Sequence, residues 1–125
     1  MIARIGTVTN TDGEKGCVRV QYEDTDNASR WLPVLTMNNE LAMPAVGEQV
    51  LVIHLPNGQS KGIVIGTYYC DGNRPKTSTG YRKDFENGAF AECQNGILKI
   101  SAKNIILATD AGEISIADIL GPAQA

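Results

Sequence analysis

Basic charge is nowhere concentrated in this chain. Eleven Lys and Arg stand against fourteen Asp and Glu, and the formal charge of −3 divides into −2 for residues 1–70, zero for 71–93 and −1 for 94–125. A surface that binds phosphate backbones needs a basic patch or stripe, so nucleic acid is not an expected partner. Histidine is almost missing: His54 stands alone, with no carboxylate or cysteine beside it in sequence. A general acid or base needs neighbours that orient it, so His54 reads as a satisfied strand residue, with a small hydrolase built on it as the outlying alternative. The three cysteines, Cys17, Cys70 and Cys93, lie far apart and form no CxxC pair, which points to buried, reduced thiols. No apolar run approaches the roughly 18 residues of a membrane span, and the N-terminus lacks the charged and apolar regions of a signal peptide. The product is therefore expected to be made and assembled in a cytoplasm.

A 3.6-residue apolar period is also absent. Aliphatic and β-branched residues gather instead in short runs separated by Gly, Asn and Asp, which predicts an all-β protein. Residues 2–10 and 17–23 flank TDGEKG, whose glycines supply the freedom of a reversing loop. In the second of these strands Val18, Val20 and Tyr22 alternate with Cys17, Arg19 and Gln21, so one face belongs to a core. RWLPVL supplies a third strand, placed at an edge or a bulge because Pro33 cannot donate to a ladder. Two more strands, 48–55 and 61–68, flank Pro56-Asn57-Gly58; their poor alternation suggests cover on both faces. Five short strands in residues 1–70 suit a small closed barrel of the OB type.

Residues 71–84 are polar, contain Gly72, Pro75 and Gly80, and read as a linker or extended crossover. Residues 85–125 form the remaining segment. From residue 96 the chain falls into blocks of eight, GILKISAK, NIILATDA and GEISIADI. Their third positions are Leu98, Ile106 and Ile114 and their fifth positions Ile100, Ala108 and Ile116, so apolar side chains return at a constant offset. FENGAFAEC precedes them as a looser block, with Phe90 at the third position and Glu92 at the fifth. Burying the five larger of these aliphatic residues would contribute roughly 8–15 kcal/mol per chain before ordering entropy is subtracted. Left in water, the same face is an aggregation hazard. Two arrangements would cover it: three copies wound about a common axis, or a monomeric three-stranded meander packed on the barrel. Periodicity alone does not choose between them.

Several segments together, IARIGTVTNTDGEKGCVRVQYED, WLPVL, MPAVGEQVLVIHLPNGQSKGIVIGTYY, the Pro75 linker and FENGAFAECQNGILKISAKNIILAT, resemble in order and spacing the phage baseplate assembly protein V family. The run from Pro44 through Gly66, with Gly47, Gly58 and Gly66 at its turns and strand crossings, is the most specific part. The resemblance implies a homotrimer with an OB-fold barrel (1–70), a linker (71–84) and a short intertwined triple-stranded β-helix (85–125) whose core is Leu98, Ile100, Ile106, Ala108, Ile114 and Ile116. It further implies a non-enzymatic central spike of a contractile tail, R-type bacteriocin or type VI secretion apparatus, located in a virion baseplate or its equivalent. The implied partners are tail hub or tube proteins and the target cell envelope.

Spikes of this kind often carry an HxH iron site at the tip, and the sequence departs from that pattern because residues 117–125 contain no His or Cys. No metal, cofactor or catalytic residue is expected, and Asp118 reads as a turn or capping residue. The short segment suggests a blunt tip or one covered by a separate PAAR-type cone. Asp24 and Asp26 offer too few ligands for calcium, and the linker is too short for an inserted lysozyme domain. The rival function is an OB module for single-stranded nucleic acid or oligosaccharide, stacking on Trp31, Tyr22, Tyr68 and Tyr69.

Overall fold

The computed structural model describes residues 2–23, 27–56 and 62–121. The chain divides into two compact units, residues 1–74 and 75–125.

The first unit is built from β1 (Ile2–Asp12), β2 (Cys17–Tyr22), β3 (Leu32–Pro33), β4 (Gln49–His54) and β5 (Gly62–Thr67) in the order β3-β2-β1-β4-β5. The long β1 serves two neighbours: Ile2–Thr7 pair with β4, and Gly6–Asp12 pair with β2. A bulge between Val8 and Asn10 makes this possible, since one extra residue bends a strand and increases its twist. The Thr9 hydroxyl donates to the Arg19 carbonyl at 3.2 Å beside it. Closure comes from the chain after β3. Val34 bridges Val64 in parallel, and the Leu35 N–H donates to the Val64 carbonyl at 2.8 Å, bringing the two ends of the strand order together into a nearly closed barrel.

Alternation then decides what lies inside. Val8, Val18, Val20, Tyr22, Leu32, Val50, Val52 and Val64 form the buried core, with Val34 and Met43 packed against it. Most of these are β-branched valines, which fit a pleated surface with little loss of side-chain freedom. The expected inward set of β2, Val18, Val20 and Tyr22, is the one found. Pro33 lies opposite Cys17 in the two-residue β3, so the third strand is far shorter than RWLPVL suggested, and Trp31 stays partly exposed. The expectation that β4 and β5 are covered on both faces does not hold within the chain: Val50, Val52 and Val64 are buried, whereas Leu51, Ile53 and Ile63 are half-buried and Ile65 is exposed. Asn57 and Gly58 of the intervening turn lie outside the described residues.

Gly62 is fixed by space. A Cβ built there would stand 2.7 Å from Val52 Cγ1 and 2.9 Å from the His54 ring. Val52 is fully buried and cannot yield without disturbing the core. Gly62→Ala is therefore expected to destabilise the barrel by about 1–3 kcal/mol, read as a lower urea midpoint at unchanged slope.

The second unit contains β6 (Tyr81–Asp84), β7 (Phe90–Gln94), β8 (Ile97–Ser101), β9 (Ile106–Thr109), β10 (Gly112–Ser115) and a short helix, α1 (Ile116–Leu120). Strands β6, β7 and β8 form one antiparallel sheet, and β9 and β10 form a separate hairpin. The octads consequently do not make a three-stranded meander of their own, because β8 pairs back onto β7. The stretch read as a linker, 71–84, ends in a strand. Tyr81 is the one apolar residue of β6, and Arg82 is tied across to Glu92 on β7 by charge, at 3.1 Å. The last block splits into a strand and α1, whose Ala117 N–H donates to the Asn104 side-chain oxygen at 3.0 Å.

Candidate functional site

His54 and its surroundings come first among possible chemical sites. It stands on β4 two residues past Val52, and its Nε2 lies 3.1 Å from the Tyr22 hydroxyl. The Arg4 guanidinium stacks over the Tyr22 ring at 3.6 Å. Tyr22 is buried in the core, so it cannot stack on a base or sugar, and the rival binding reading loses one of its four aromatic groups. Tyr68 is half-buried and donates to Gln49 at 2.9 Å, while Trp31 and Tyr69 remain exposed. Among the described residues no group of three or more His, Cys, Asp or Glu side chains is placed to hold a metal ion. Asp24 and Asp26 lie outside the described residues, as do residues 122–125 of the tail.

The barrel exterior is more distinctive than its interior. Ile5 lies opposite Leu51 across β1 and β4, and Ala3 lies opposite Ile53. With Ile65, Gly66, Thr67 and Tyr68 of the β5 region, Ile5 and Leu51 line a shallow groove of about 260 Å³. An exposed apolar groove of this kind is a candidate contact surface.

The second unit carries the larger apolar surface. Not one of its described residues is buried, and ten large apolar side chains stand exposed, Tyr81, Leu98, Ile100, Ile106, Ile114 and Leu120 among them. The β7–β8 turn is set by Asn95 and Gly96, with φ of 52° and 79°, the two-residue hairpin that Asn-Gly favours. Strand register then places Leu98 and Ile100 on one side of the sheet together with Tyr81, Ala91 and Cys93. The other side carries Arg82, Asp84, Phe90, Glu92, Gln94, Ile97, Lys99 and Ser101. There the Arg82 guanidinium bonds Asp84 and Glu92, each at 3.1 Å, and lies 3.9 Å from the centre of the Phe90 ring. The hydrogen bond from Arg82 holds the Asp84 carboxyl below its usual range.

The six residues expected to share one apolar core are thus distributed as follows. Leu98 and Ile100 are together on β8. In the hairpin, Ile114 lies opposite Leu107, whereas Ile106 lies opposite Ser115 and Ala108 opposite Glu113, on the other side. Ile116 opens α1. Sequence reasoning missed Tyr81, Ala91 and Cys93 as members of the Leu98 side. The looser block had offered Phe90 and Glu92, which register puts on the opposite side; the Asn95-Gly96 turn, which sets that register, was the signal available. The cysteines depart from expectation in burial alone, since Cys17 and Cys70 are half-buried and Cys93 is exposed, while all three are free thiols.

The profile of the family described as the Type VI secretion system/phage-baseplate injector OB domain matches residues 4–69, more than half of the chain. No curated protein matches the chain. The chain belongs to that injector OB-domain family, and the matched segment is the barrel described above.

Proposed function

We propose that this member of the injector OB-domain family is a structural, non-enzymatic central spike component of a contractile tail or related injection apparatus, acting as a homotrimer. The barrels form a threefold collar that docks on the tail hub or tube, and the segment after Arg74 projects as a stiff pin driven into the target envelope on contraction. One observation carries the reading: a barrel of the injector family is followed by a unit that buries none of its described residues yet exposes ten large apolar side chains. Such a surface is not kept in water by a stable monomer. Identical copies supply matching cover in fixed ratio, and closed rotational symmetry limits the assembly.

The experiment is a mass measurement in solution by sedimentation equilibrium at micromolar concentration. A particle of three times 13.4 kDa is expected. A monodisperse 13.4 kDa species would remove the collar and the pin together.

A further inference from the structure

The outer face of β1, β2 and the chain entering β3 carries a row of three groups that the barrel's own packing does not use up. Leu32 is buried opposite Val18, and Trp31 before it stands outward, 42% exposed, with the Arg19 guanidinium 6.0 Å from its ring centre. Asn10 lies opposite Arg19 on β1. The guanidinium is fixed at one end, where its Nε donates to the Ser29 carbonyl at 3.0 Å, and its two terminal nitrogens have no partner among the described residues. Asn10 is exposed; its side-chain oxygen accepts from the Thr9 hydroxyl at 2.9 Å, which leaves its amide nitrogen without a partner among the described residues. Other arginines are matched, Arg74 to Asp71 and Arg82 to Asp84 and Glu92. Fourteen carboxylates stand against eleven Lys and Arg in this chain, yet none of the described ones pairs with Arg19, which is half-buried. A guanidinium partly withdrawn from water and lacking a counter-charge gains from an anion brought to it from outside.

We propose that Asn10, Arg19 and Trp31 form a binding site for an oligosaccharide that bears carboxylates. Each group matches one part of such a ligand. The flat indole takes the apolar C–H side of a sugar ring, the free end of the Arg19 fork takes the carboxylate by paired hydrogen bonds, and the Asn10 amide donates to a ring hydroxyl. The face of strands 2 and 3 is also where barrels of this architecture hold extended polar ligands. Single-stranded nucleic acid fits less well, because it needs a basic groove along its backbone and several stacking platforms. Here the formal charge is −3, Tyr22 is buried and Tyr68 is half-buried and hydrogen-bonded. A protein partner also fits less well. An indole that anchors a protein is ringed by close-packed side chains that exclude water, whereas the outward residues of β1 and β2 near this one, Thr7, Asn10, Arg19 and Gln21, are all polar. The site belongs to the barrel alone and does not depend on the trimeric reading above.

Trp31 is the single tryptophan of the chain, so its fluorescence reports on this site. Full-length chain is titrated with tetragalacturonic acid, with a sialic acid tetramer, with neutral maltotetraose and with an oligothymidylate of the same length. At least one of the two acidic sugars is expected to give a saturable change, with an affinity at least about tenfold above that of the neutral sugar, because the charge-assisted pair is made only by a carboxylate. Asn10→Asp sets a carboxylate opposite Arg19 at an exposed position. It is expected to weaken acidic-sugar binding by about tenfold or more, by pairing with the guanidinium and repelling the ligand, while the urea midpoint of the barrel stays in place. Arg19→Gln should weaken binding similarly. Absence of saturation by either acidic sugar up to about 10 mM overturns the proposal, and so does equal affinity for maltotetraose. Tighter binding of oligothymidylate overturns it in favour of a nucleic-acid surface. Unchanged acidic-sugar affinity in the Asn10→Asp chain, with the midpoint kept, removes the site from this row of residues.

Discussion

Replacing Ile106 and Ile114 together with Asp is expected to turn the assembled particle into monomers while leaving the barrel folded. Both side chains are more than half exposed in the single chain, at 55% and 54%, so neither contributes much to the stability of one copy. Their burial is gained on association. Three copies lose six isoleucines, each with about half of its full burial value left to gain, about 0.8–1.6 kcal/mol, or roughly 5–10 kcal/mol, before any cost of covering carboxylates is added. At about 1.4 kcal/mol per factor of ten, the association constant falls by roughly three orders of magnitude or more. The barrel is untouched because both residues belong to the unit that begins at Pro75. Sedimentation should show one chain per particle, and the urea transition of the barrel should keep its midpoint. Retention of trimers by the double variant counts against assembly through this segment; Ile106→Val with Ile114→Val is the control that keeps the apolar surface.

The barrel was legible in the sequence because one rule governs it. Where every second residue of a strand enters a single core, alternation and turn residues announce both the strand and its inward face, as they do for Val18, Val20 and Tyr22. Pro33 likewise announced its edge position. The second unit was read less well, since its strands are not organised by a core within the chain. Strand β6 is held across to β7 by Arg82 and Glu92, a pair that looks like ordinary surface charge in a sequence. The octads gave the strands Ile97–Ser101, Ile106–Thr109 and Gly112–Ser115 nearly in place, but their common offset implied one shared face. In the single chain the Ala108–Glu113 and Leu107–Ile114 pairings put Ile106 and Ile114 on opposite sides of their hairpin. A constant offset specifies a period; which side each turn of that period presents depends on the partner strand.

Val52→Asp is the second large effect, and it should strike the unit that the isoleucine variant spares. Val52 is fully buried, paired with Val64 on β5 and with Arg4 on β1, and backed by Gly62. An ionised carboxylate there has no water, so it is driven toward its neutral form by a raised pKa, and even protonated it leaves polar atoms without suitable partners. The expected cost exceeds about 4 kcal/mol, against a total of roughly 4–11 kcal/mol for a unit of this size. Loss of the cooperative urea transition at neutral pH is the expected observation. The sign of the pH dependence follows from the raised pKa: the folded form binds the proton more tightly, so the penalty is present above the folded pKa and shrinks as pH falls toward the ordinary Asp value near about 3.9. Partial recovery on mild acidification is thus expected for Val52→Asp and not for Val52→Thr, which keeps the branched shape, adds one hydroxyl and should cost only about 1–3 kcal/mol. An unchanged neutral-pH midpoint for Val52→Asp would mean that this residue faces solvent, and that the barrel is not assembled around the valines that define its core.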